Sequence, residues 1–290
     1  MLEAVPNVSE GRDFSVIGAI GAAFAESARL LDVHSDEDHH RSVYTLVGEK
    51  GDLVASLLAG IATACALIDL RLHEGVHPRV GAADVVPLVY LRDGDAGAAA
   101  SAAHELAERA GRELGLPVFL YGDVGAGRRP AFVRHGGLDE LERRLAAGEL
   151  APDFGPSRID PRSGAVLVGA RKPLVAYNLD LATDDVEVAR AVAAAVRESS
   201  GGLPGVQAIG LRLPRSGHVQ VSMNVLDLDR SPLHEVVASV TREAAARGVG
   251  VAAGELVGLV PQRVLHEAAA AGMELPGVDE SRVLERLIGL

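Results

Sequence analysis

The run Leu174-Val175-Ala176-Tyr177-Asn178-Leu179-Asp180-Leu181, followed by Ala182-Thr183-Asp184-Asp185, decides the reading of the fold. Its first eight residues alternate in character, as a strand with one covered face does. Thr183 then predicts a cap for a helix from Asp184 to about Glu198, whose early acidic residues suit the helix dipole. Working outward, Val206 to Leu213 and His218 to Val225 read as strands joined by the turn Pro214-Arg215-Ser216-Gly217. Ser231-Pro232 opens a helix that ends near Gly248, with Ser at the cap and Pro in the first turn. Gly254 to Val260 supplies a last strand before a helical tail. The order is β-α-β-β-α-β.

The first half repeats that order. Leu2 to Val8 is extended, Asp13 to Ala28 has apolar residues at helical spacing, and Leu30 to Val33 and Ser42 to Val47 read as strands. Asp52 to Ile68 is helical and Ala83 to Leu91 is a buried strand. A helix over Asp95 to Leu114 and a strand over Pro117 to Tyr121 extend the unit. The predicted fold class is therefore α/β (α+β): two ferredoxin-like βαββαβ subdomains, residues 1–172 and 173–290, with antiparallel or mixed sheets. Leu150 to Lys172, rich in Pro, Gly, Ser and charge, reads as the connector, and a ligand cleft is expected between the subdomains.

Composition narrows the function classes. Lys plus Arg number 28 against 40 Asp plus Glu, a net charge of −12, and no run of five or six basic residues relieves it. Such a chain repels phosphate backbones, so no nucleic-acid partner is expected, whereas a small anion in a locally positive pocket is compatible. The single cysteine, Cys65, leaves no intrachain disulfide or thiolate metal cluster and reads as a buried structural thiol. The N-terminus lacks the basic start and apolar core of a signal peptide, and no uncharged apolar run reaches 18 residues. A cytoplasmic protein without a membrane span is the expectation.

Two histidine-rich stretches invite chemistry. His73-Glu74-Gly75-Val76-His77 has the letters of the zinc-protease pattern, which requires a helix to set both imidazoles on one face. Gly75 and Pro78 argue against that helix, because Pro78 cannot donate to the Glu74 carbonyl and pushes His77 out of the α region. The same two residues suit a loop that holds His77 as an acid–base group. The alternative is a loop imidazole bonded to nearby backbone. His34-Ser35-Asp36-Glu37-Asp38-His39-His40-Arg41 has the ligand density of a metal site, but consecutive ligands rarely converge on one ion, and a solvated polar hairpin is expected instead. Arg41 stands apart, since its planar guanidinium suits a substrate carboxylate. Tyr121 to Arg129 is glycine-rich after a strand but lacks the ending and spacing of nucleotide loops, and Pro130 interrupts the expected helix entry. Gly155-Pro156-Ser157-Arg158-Ile159-Asp160-Pro161-Arg162-Ser163-Gly164 is a stiff loop that composition leaves open as linker or ligand loop.

Several of these segments, taken in order, resemble the formiminotransferase family. Val5-Pro6-Asn7-Val8-Ser9-Glu10-Gly11-Arg12 looks like the family's opening, and Arg41-Ser42-Val43-Tyr44-Thr45-Leu46-Val47-Gly48 resembles its second motif. Gly75-Val76-His77-Pro78-Arg79-Val80-Gly81-Ala82-Ala83-Asp84-Val85 resembles the segment bearing its catalytic histidine. Pro117 to Gly122, Ala151 to Pro156, Val168 to Lys172, Gln220 to Asn224 and Glu255 to Pro261 complete the likeness over nearly the whole chain.

The resemblance implies a formimino transfer from N-formimino-L-glutamate to N5 of tetrahydrofolate as co-substrate, without a metal. It puts the catalytic His at His77 and the folate-binding segment at Gly155 to Gly164. Arg41, Arg79 and Lys172 are candidates for the anions of the two substrates. It further implies a homodimer and no cyclodeaminase segment. Two departures stand out: Val76 occupies the place of a Glu in the animal enzymes, and His34 and His40 replace an Asp and an Asn. The alternatives are formyl transfer involving 5-formyltetrahydrofolate, a non-catalytic folate-binding protein, and a metal hydrolase using His73, His77 and the 34–40 cluster.

Overall fold

Asp13 starts the first helix by accepting hydrogen bonds from the amides of Ser15 and Val16, two of the donors a helix N-terminus leaves unpaired. The computed structural model describes residues 1–289, and the chain separates into two units, Met1–Lys172 and a second beginning at Pro173. The first contains β1 (Leu2–Ala4), β2 (Asn7–Val8), α1 (Phe14–Phe24), β3 (Arg29–Asp36), β4 (Arg41–Gly48), α2 (Lys50–Leu67) and β5 (Ala83–Val89). It continues through α3 (Ala96–Glu113), β6 (Val118–Gly122), α4 (Pro130–Arg134), α5 (Gly137–Ala146) and β7 (Val166–Arg171). Strand β4 lies between β3 and the short consecutive strands β1 and β2, each of which pairs with β4 on one side and β5 on the other, all antiparallel. Beyond β5, β7 and then β6 add in parallel. Both β4 and β5 are buried along nearly their whole length, polar Arg41, Ser42, Thr45 and Asp84 included, as central strands covered on both faces are.

The second unit contains β8 (Val175–Leu181), α6 (Val186–Val196), β9 (Val206–Arg212), β10 (Val219–Val225), α7 (Leu233–Ala245), β11 (Val251–Val257), α8 (Gln262–Ala270) and α9 (Leu284–Ile288). Its sheet is antiparallel in the order β11-β8-β10-β9. The fourth strand of the unit thus lies beside the first and the second beside the third, the ferredoxin-like arrangement. The strands β5, β1/β2, β4 and β3 of the first unit follow the same order before β7 and β6 extend it. Each unit has its own core. In the first, Phe24, Tyr44, Leu57, Ile61, Leu88 and Leu106 lie between helices and sheet. In the second, Tyr177, Val192, Val221, Val236 and Val240 do so.

Several sequence expectations are corrected here. Val166–Arg171 is not connector but an inner strand between β5 and β6, because its run Val-Leu-Val-Gly-Ala is buried on both faces. Thr183 does not cap α6. Its hydroxyl accepts from the Asp185 amide, and Asp185 caps the helix through Glu187 N at 2.9 Å. Ser231 does not cap α7 either, since its buried hydroxyl donates to Pro204 O at 2.7 Å. The last strand begins at Val251, three residues before the expected Gly254. Pro130, expected to interrupt a helix, begins α4, where its missing N–H has no role to fill. Finally, α2 has 18 residues and is long and apolar enough, by composition, to cross a membrane. Its Leu53, Val54, Leu57, Leu58, Ile61 and Ala64 are instead buried in the first core.

Candidate active site

Three separated segments meet at one end of the first sheet: the β2–α1 connection, the β3–β4 turn and the loop before β5. Glycines allow the approach. A Cβ on Gly75 would fall 2.6 Å from the His39 carbonyl oxygen and 2.8 Å from His40 Cβ. A Cβ on Gly11 would fall 2.5 Å from the Arg41 amide nitrogen. The loop is stitched to the turn by Val76 N donating to Asp38 O (3.2 Å) and Arg79 Nη2 donating to His39 O (3.1 Å). Ser9 donates to Gly81 O at 2.8 Å and fastens the loop's far end.

The solvated hairpin expected at 34–41 is corrected in its second half: Glu37 is exposed, but Asp38, His39, His40 and Arg41 are only 5 to 8 % exposed. The turn is buried because the His77 loop lies over it. His73 to His77 is not helical, and His73 adopts an extended backbone after one short turn over Leu70–Leu72. Among the described residues, no three His, Cys, Asp or Glu side chains are grouped so as to hold a metal ion.

The hydrogen bonds assign the imidazoles different states. His77 Nδ1 lies 2.7 Å from Pro78 O, and a carbonyl only accepts, so Nδ1 carries the proton and Nε2 retains its lone pair. Part of the ring reaches solvent, yet desolvation, then Arg41 and Arg134, hold its pKa well below the ordinary value. His77 is therefore a neutral base at neutral pH. His73 is lowered to about 4 by burial, Arg79 and His40, and its Nε2 donates to the His40 carbonyl at 3.0 Å. Burial alone would raise Glu10, but His40 and the amides of Arg12 and Asp13 outweigh it and bring the carboxyl to about 2. His39 pairs with Asp36 at 2.9 Å, and its ring centroid lies 6.2 Å from that of His77.

Behind His77, Asp84 has no exposed side-chain surface. It accepts from Val80 N at 2.9 Å, from Arg41 Nη1 at 2.7 Å and from Arg134 Nη2. Burial opposes its ionisation, but Arg134 and Arg41 together keep it a carboxylate. Arg41 Nε donates to Asn7 at 2.9 Å, so this guanidinium, expected to face a substrate, is engaged with protein groups. Arg79 likewise bonds to the His77 and His39 carbonyls and rests against His73; burial and Arg41 lower it to about 10, still cationic at pH 7. Arg41 and Arg134 flank Asp84 and Arg79 rests against His73, so three guanidiniums stand close to His77.

Arg134 and Asp84 were not singled out from the sequence. Pro130 at a helix start signals α4, but nothing local shows that the last residue of α4 turns toward a buried carboxylate fifty positions earlier. The segment Gly155 to Gly164 is only partly at this site. At its far end, Ser163 O accepts from Ala82 N at 2.8 Å, and Gly164 (φ +72°) packs on Val80 and Gly81. At its near end, Gly155 packs against Gly111 and Leu116. Asp160, Arg162 and Ser163 line a cleft of about 390 Å³ with Cys65, Glu113 and Leu116. The Cys65 thiol is half-buried, and desolvation pushes it up to about 12. His73, Arg79 and Gly75 face a second cleft of about 320 Å³. Lys172 is not brought to His77: it follows β7 at the end where Arg171 pairs with Val89, opposite Ala83, and bonds Asp93 at 3.1 Å.

The chain belongs to the formiminotransferase domain family. Residues 1–171 match the N-terminal subdomain of that domain, and residues 176–276 match the formiminotransferase domain model that follows it. It is an enzyme of the transferase class. Among similar proteins, the glutamate formimidoyltransferase of Thermoplasma acidophilum is 38% identical, covering 99% of this chain and 96% of that one. The glutamate formimidoyltransferase of Streptococcus pyogenes is 36% identical, covering 98% and 97%. The formimidoyltransferase-cyclodeaminase of Sus scrofa is 41% identical over 93% of this chain and 52% of the longer relative.

Proposed function

We propose that the chain transfers the formimino group of N-formimino-L-glutamate to N5 of tetrahydrofolate, with His77 as the acid–base group. The observation that carries this reading is the state of His77: Nδ1 is committed to Pro78 O, Nε2 keeps its lone pair, and burial with Arg41 and Arg134 keeps the ring neutral. The full-length similarity to two glutamate formimidoyltransferases supports the choice of donor.

N5 attacks the formimino carbon and its proton passes to His77 Nε2, forming a tetrahedral centre. The C–N bond to glutamate then breaks, and the imidazolium returns that proton to the departing nitrogen, so free glutamate and 5-formiminotetrahydrofolate result. Acid–base help of this kind is worth about 10²–10⁴-fold. Holding the two substrates aligned contributes on the order of 7 kcal/mol. The guanidiniums beside His77 suit a donor with two carboxylates, and Gly155 to Gly164 is read as the folate segment. Arg79 serves the donor from beside His77, Arg41 acts through Asp84, and Lys172 is left to the folate tail.

Tetrahydrofolate supplied with formiminoglutamate, and in parallel with formylglutamate, tests this by absorbance. Turnover with the first and not the second is expected. Folded protein inactive with both defeats the reading. The reading extends to a cytoplasmic homodimer, for which sedimentation should give twice the mass of the 30.1 kDa chain.

A further inference from the structure

We propose that His40 is a positioning residue for the His77 loop, its ring held between the Glu10 carboxylate on one side and the Glu74 carbonyl on the other. The proposal rests on the reading of His77 as the acid–base group. His40 Nε2 lies 3.0 Å from Glu10 Oε1, and Nδ1 lies 2.9 Å from Glu74 O. The ring thus bridges the β2–α1 connection and the loop before β5.

The grip on the loop is double. The His40 carbonyl accepts from His73 Nε2 at 3.0 Å, and the two rings stack with centroids 3.8 Å apart and planes 20° from parallel. His40 therefore fixes His73 and Glu74, while the carbonyls of Asp38 and His39 fix Val76 and Arg79 on either side of His77. The groups facing His40 are Glu10 from the β2–α1 connection and His73 from the loop; Arg79 lies behind His73, and Asp36 is turned to His39. His40 is also among the groups, after burial and Arg79, that hold His73 neutral.

The backbone is consistent with a residue retained for its position. His40 has φ +48°, and among the described residues only Ala126 shares a positive φ without being glycine. L-residues adopt that region against a steric cost, which persists when surrounding contacts over-determine it. Asn, by contrast with Ala, tolerates the same region and can donate from its side-chain amide.

Steady-state kinetics test the assignment. His40→Ala should lower kcat on the order of 10- to 100-fold, as small misplacements of a reacting group do. Its KM for tetrahydrofolate should stay within about twofold, and His40→Asn should recover most of kcat. Wild-type kcat in His40→Ala, or no recovery of kcat in His40→Asn, overturns the proposal. His77→Ala run beside it separates the two readings. If His77→Ala is inactive while His40→Ala is fully active, only the role of His40 falls; if His77→Ala keeps wild-type kcat, the reading of His77 falls and takes the role of His40 with it.

Discussion

Arg41 Nη1 donates to Asp84 Oδ2 across 2.7 Å and joins the first residue of β4 to the second of β5 behind the His77 loop. The carboxylate has no exposed surface, and a second guanidinium, that of Arg134, binds the same oxygen. Two positive charges thus share one buried negative charge, and the excess acts on the nearest titratable ring, His77.

Replacing Asp84 by Asn leaves both guanidiniums without a counter-charge. Removing one partner of a buried ion pair costs about 3–5 kcal/mol. Urea denaturation of Asp84→Asn should show a loss of that order, and a loss under about 1 kcal/mol would mean that the network is not buried as described.

His77→Ala should fold, with an unchanged circular dichroism spectrum and retained tetrahydrofolate binding, and should lose about 10²–10⁴-fold in kcat. Normal turnover in this variant would move the proton transfer to another group.

Arg134→Met should move the acid limb of kcat/KM to higher pH. Burial, Arg41 and Arg134 disfavour the imidazolium of His77, whereas Asp84 favours it. Removing Arg134 withdraws one opposing charge and frees Asp84 from one partner, and both changes raise the His77 pKa toward about 6.5. A limb that stays in place, or moves down, contradicts the electrostatic role given to Arg134.

Stability should fall on acidification through the same cluster. His73 has a folded pKa of about 4 against an ordinary value of 6.5. Between those values the unfolded chain binds the proton and the folded one does not, so stability is full above about 6.5. It is lost as pH falls toward 4. Melting temperature measured from pH 7 to 4 should decline in the wild type and decline less in His73→Gln.

Gly75→Ala should displace the loop, since the new Cβ would fall 2.6 Å from both the His39 oxygen and Arg79 Nη2. Forcing an extra methyl into such a contact costs about 1–3 kcal/mol. The expected readout is reduced kcat with weaker exchange protection of the Val76 amide, and wild-type values for both would contradict the close approach.

Sequence reading reached the doubled β-α-β-β-α-β order because each element carries its own signal: alternation in Leu174 to Leu181, helical spacing in Asp52 to Ile68, turn residues between. It also dismissed the helix across His73 to His77 from Gly75 and Pro78 alone, as backbone sterics act locally. It failed where a feature depends on distant partners. Val166 to Arg171 looked like part of a connector, since only β5 and β6 on its two sides make it an inner strand. The turn at 34–41 looked solvated because its polar residues are buried by a loop thirty-five positions later.

The sequence by itself therefore determined the order of elements, the acidic character of the chain, the family and the loop on which His77 stands. These follow from propensity, periodicity and motif, which are properties of neighbouring residues. Tertiary structure alone decided the protonation of each imidazole, the burial of Asp84 and the partners of Arg41, Arg79 and Arg134. Those depend on which charges and carbonyls lie within a few ångströms, and folding sets such distances between residues that the chain keeps far apart.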